Sequence, residues 1–114
     1  MKEYRKAQAE YLVAKEELEL KNRQYDEIMK DKDLEGLSIK EEVNVEFEAR
    51  DEVGMNEAEN KKREKEERLL ELFFEEAKES EEVKEARIPL DELKEGANNS
   101  VSIRRQVVEM AMEI

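Results

Sequence analysis

Across residues 2–32, apolar side chains return every seven positions. One row holds Tyr4, Tyr11, Leu18 and Tyr25; a second, three places later, holds Ala7, Ala14, Lys21 and Ile28. These are the a and d positions of four heptads, the spacing with which a helix offers one seam to another helix. Glu17/Lys21, Glu19/Arg23 and Asp26/Lys30 stand in the favourable i, i+4 order along the exposed side, each pair adding about 0.2–0.5 kcal/mol. A helix over this span is about 46 Å long. A compact chain of 114 residues has a diameter of roughly 34 Å. The expectation is therefore an elongated molecule, a rod or a hairpin, forming a single helical domain over residues 1–114.

Composition agrees with helix throughout. There are three Gly and one Pro in 114 residues, too few turn formers for a many-stranded fold. Glu, Lys, Leu, Ala, Arg and Met dominate, and these lose little freedom in a helix. The fold class expected is all-α: an elongated antiparallel helical hairpin or coiled coil with an additional C-terminal amphipathic helix.

Punctuation divides the rest of the chain. The first helix should end near Asp33–Leu37, with Gly36 as a left-handed cap. Ser38-Ile39-Lys40-Glu41 is a capping box that opens a second helix over 39–53. There Ile39, Val43 and Phe47 follow at i, i+4, i+8. The same stretch carries a strand-like alternation, Val43, Val45, Phe47, Ala49, so 43–49 is open to both readings; the cap and the Glu content favour helix. Gly54-Met55-Asn56-Glu57 reads as a break and a fresh start, followed by helix over 57–86. Its first part, Glu57–Arg68, is polar nearly all round, with Glu57/Lys61, Glu59/Arg63 and Glu64/Arg68 as expected pairs. Its second part holds the densest apolar cluster of the chain: Leu69, Leu70, Leu72, Phe73, Phe74 and Ala77. Pro89 disfavours helical geometry at Ile88 and opens a short helix over 89–95, with Gly96 after its last turn. A final helix over 100–114 shows an apolar face of Ile103, Val107, Met110, Ala111 and Ile114, widened by Val101, Val108 and Met112.

The segment Gly54-Met55-Asn56-Glu57-Ala58-Glu59-Asn60-Lys61-Lys62-Arg63 resembles a feature of small helical-hairpin (coiled-coil) accessory proteins carried by phages and mobile elements, in which a Gly-x-Asn-Glu/Ala turn opens a charged helix. The likeness covers about 15 of the 114 residues. It implies a small phage-type accessory protein without a chemistry of its own.

Several functions are disfavoured by what the chain lacks. With no Cys, there is no disulfide framework and no thiolate nucleophile or metal ligand. With no His, the commonest general base and transition-metal ligand is missing, and a Glu-x-x-His di-metal site cannot be built. Acid pairs such as Glu75/Glu79 and Glu41/Glu48 read as solvated helix faces, and a glycosidase-type acid pair needs a pocket that a thin rod does not offer. Asp31-Lys32-Asp33-Leu34-Glu35-Gly36 lacks the calcium-loop pattern. Neither an enzyme nor a cofactor or metal is expected. Lys61-Lys62-Arg63, Lys65 and Arg68 form a basic cluster, and Arg104-Arg105 another, but both sit among acids in a chain of net charge −12. Such a charge repels nucleic acid, so no direct nucleic-acid binding is expected. The apolar runs, Tyr11–Val13 (extended by Ala14) and Met110–Met112 among them, are far short of a membrane span. The basic N-terminus is not followed by the apolar core of a signal peptide. A soluble cytoplasmic protein without membrane association is the expectation.

What remains is association. Leu, Ile, Val and Phe make up about 23% of the residues, close to the level at which highly charged chains stop folding alone. Tyr at seam positions suits a half-buried seam with hydroxyls reaching water. Phe73 and Phe74 are adjacent and cannot share a face, so one of them should seek a second partner. The candidate interface residues are Tyr4, Tyr11, Leu18, Tyr25, Ile28, Leu69, Leu70, Phe73, Phe74, Ile103, Val107, Met110 and Ile114. The expected role is a non-enzymatic assembly or adaptor protein, a homo-oligomer (a dimer in its simplest form) that also binds a protein partner. The alternative is an acidic decoy that occupies the basic surface of a nucleic-acid-binding protein.

Overall fold

The computed structural model describes residues 2–76 and 89–113. All regular structure among them is helical: α1 Lys2–Lys30, α2 Ile39–Val53, α3 Met55–Glu76, α4 Leu90–Asn99 and α5 Val101–Glu113, with no strand. The strand reading of 43–49 is thereby settled in favour of helix. Expected helix residues 77–86, together with Ile88 and Ile114, lie outside the described residues.

Local chemistry explains both ends of α2 and the start of α3. Ser38 caps α2: its Oγ accepts the Glu41 N–H at 3.2 Å and donates to Glu41 Oε1 at 3.2 Å. Gly54 ends α2 in the left-handed region at φ 74°, its N–H directed to the carbonyls of Arg50 and Asp51. Its own carbonyl then accepts the Ala58 N–H at 3.3 Å. One glycine thus closes α2 and starts α3, which explains why α3 begins at Met55 rather than at 57. Gly36 does not cap α1, which ends earlier at Lys30. It stands at φ 82° in a turn closed by Leu37 N–H to the Leu34 carbonyl at 3.3 Å, the third turn position that demands positive φ.

Gly96 is a further correction. It lies within α4, which continues to Asn99, instead of ending the helix. A Cβ at this position would stand 2.9 Å from Ile103 Cγ2. The missing side chain therefore lets α4 and α5 approach closely, and this requirement outweighs the weak helix propensity of glycine.

The chain, read from sequence as one domain, divides into two compact units. The first comprises Met1–Leu12 with Glu64–Ile114, and the second Val13–Arg63; α1 and α3 contribute to both. In the first unit, Tyr4, Ala7 and Tyr11 of α1 join Leu69, Leu70, Leu72 and Phe73 of α3, Ala97 of α4, and Val107, Val108 and Ala111 of α5 in one core. Lys65 reaches Glu10 at 3.5 Å and Arg68 reaches Glu3 at 3.7 Å, so α1 and α3 run antiparallel here. In the second unit the buried apolar residues are Ala14, Ala49, Val53, Met55 and Ala58.

Every a and d position of α1 is buried or half-buried, fully buried through Ala14 and half-buried from Leu18 onward. An equivalent row runs along α3. Met55, Ala58, Lys62, Lys65, Leu69, Leu72 and Glu76 recur at spacings of three and four, and none is exposed. Lysines at seam positions cover apolar surface with their stems while the ammonium stays in water. That is why a stretch that reads as polar all round still packs.

Candidate functional site

Most of the described apolar side chains of the first unit pack within it, Leu12 and Val101 being exposed. Tyr4, Tyr11, Leu69, Leu70, Phe73 and Val107, six of the candidate interface residues, line its own core. Phe74, Ile103 and Met110 are half-buried against that core. Both of the adjacent phenylalanines contact this core. Phe73 points into it and Phe74 packs at its edge, the rings 5.2 Å apart and edge-on. A core with four helical segments around it has room for two neighbouring faces of α3. Leu18, Tyr25 and Ile28 belong to the second unit and are half-buried. Val101, expected to widen the face of α5, is exposed.

The tyrosine reading also needs correction. Tyr4 is buried, and its hydroxyl donates to the Ala111 carbonyl instead of reaching water. Gln8 Nε2 donates to the same oxygen at 2.7 Å, and Arg5 donates to Gln8 Oε1 at 2.9 Å. Ala111 lies in the last turn of α5, where a carbonyl has no helical N–H to accept. Two side chains of α1 thus satisfy a helix end. Burial pushes the Tyr4 phenol above its ordinary value, against the lowering effects of the Gln8 hydrogen bond and the Arg5 charge; Glu76 reinforces the rise. Gln8 was not foreseen; its only signal in sequence is a position one turn after Tyr4.

Among the described residues, most ion pairs run between helices. Glu59 pairs with Arg50 at 2.6 Å and Arg68 with Glu3, although the sequence suggested Arg63 and Glu64 as their partners along α3. Arg104 donates to Glu66, tying α5 to α3. Beside it is an open cleft of about 430 Å³, with Leu70, Phe74 and Ala97 as its apolar lining and Glu67, Glu71, Glu75, Lys94, Asn98 and Arg104 as its polar lining. A second open cleft of about 440 Å³, in the second unit, is lined by Lys21, Gln24, Glu27, Ile28, Asp31, Glu52 and Val53. Neither lining carries a hydroxyl nucleophile. Among the described residues, no group of three or more acids is arranged to hold a metal ion, and no helix is long and apolar enough to cross a membrane.

Among the described residues, five of the seven exposed large apolar side chains belong to the second unit, the other two being Leu12 and Val101 of the first. On α2, Ile39, Val43 and Phe47 are 82%, 40% and 59% exposed, while Ala49 and Val53 are buried. Val13 and Leu20 of α1 are exposed as well. The unit buries three alanines, Val53 and Met55 but leaves a phenylalanine and an isoleucine in water, a small core beside a large exposed apolar area. Helix geometry makes the α2 residues contiguous. At i, i+4, i+8 they form one ridge, which the structure turns outward. Further along the same side, Arg50 is held by Glu59 and by Asn56 Oδ1 at 3.4 Å.

In comparisons with known proteins, the chain matches no family, no curated protein and no solved structure.

Proposed function

We propose that this chain is a non-enzymatic helical assembly or adaptor protein that works by self-association and by binding a protein partner. The observation that carries the reading is the outward ridge Ile39–Val43–Phe47 on a helix of which only Ala49 and Val53 are buried. Large apolar side chains left in water oppose solubility and mark association surfaces. The cost is offset when a second surface covers them. A small phage-type accessory protein, the class that the Gly54–Arg63 segment resembles, would act in this way, through contacts alone.

The test is capture of partners on the immobilised chain at low salt and at about 1 M salt, where the Debye length is about 3 Å. Contacts made by the ridge survive the salt and disappear in the Phe47→Asp chain. Binding that vanishes in salt and is unaffected by Phe47→Asp would overturn the proposal and favour the acidic decoy, whose attraction to a basic surface is electrostatic.

A further inference from the structure

We draw no further inference here: the strongest candidate, the open cleft of the first unit lined from α3, α4 and α5, with Leu70, Phe74 and Ala97 as its apolar part and glutamates beside Lys94 and Arg104 as its charged part, carries none, because nothing in the structure shows what fills it and a lining of both charges selects no one ligand.

Discussion

The three phenylalanines should separate cleanly when each is cut to alanine. Phe73 is 0% exposed, at the centre of the first unit. Removing its ring costs about 3–5 kcal/mol through lost transfer energy and the cavity left behind, with about 0.5–1.5 kcal/mol more for the lost edge contact with Phe74. Phe47 has most of its ring in water, so Phe47→Ala changes monomer stability by about 0.5 kcal/mol or less. Phe74, half-buried against the same core, falls between. Urea unfolding of dilute protein followed by circular dichroism reads these directly. With a slope of about 1.5–2 kcal/mol per molar, Phe73→Ala lowers the midpoint by about 2–4 M or leaves the chain unfolded without urea. Phe47→Ala moves it by about 0.3 M at most. A Phe47→Ala cost equal to that of Phe73→Ala at low concentration would refute the assignment of inner and outer faces.

Other outcomes follow from single contacts. Tyr4→Phe costs about 1 kcal/mol at neutral pH, the worth of one buried hydrogen bond. Because the folded Tyr4 pKa is raised above its unfolded value of about 10, the stability linked to its proton is complete below that pH. It is lost as pH rises toward the folded value; the gap between wild type and Tyr4→Phe therefore narrows in unfolding experiments above about pH 10. Ser38→Ala and Gly54→Ala each cost about 1 kcal/mol by removing the cap of α2 or straining its left-handed end, read as faster amide exchange in α2. Gly96→Ala lowers the melting temperature in wild type by crowding Ile103, but raises it in an Ile103→Ala background, where only the helix-propensity gain of about 1 kcal/mol remains.

How much of this was legible in the sequence depended on how local the physics was. The bounds of α2, its cap at Ser38 and its end at Gly54 are set by neighbours in the chain, and they read correctly. The seam of α1 read correctly because seven of its eight positions are apolar. The seam of α3 did not, because Lys62 and Lys65 count as polar by type although their stems pack. The length of α4 was missed because glycine near a helix end usually marks the end, and the demand for close approach to Ile103 comes from another helix. The hydroxyl of Tyr4 was assigned to water because its acceptor, the Ala111 carbonyl, is distant in sequence. The orientation of α2 was not legible either. Val45, Ala49 and Val53 form one stripe and Ile39, Val43 and Phe47 another, and only tertiary packing chooses the smaller side chains for the inside.

Phe47 stands on the exposed ridge of α2, whereas Phe73 is buried in the core of the first unit and Phe74 packs at its edge. Fluorine NMR of the chain labelled with 4-fluorophenylalanine observes all three rings at once as concentration is raised. The account predicts that the Phe47 resonance shifts and broadens while the other two hold their positions. A Phe47 signal indifferent to concentration and to partner, or movement of all three together, would contradict it.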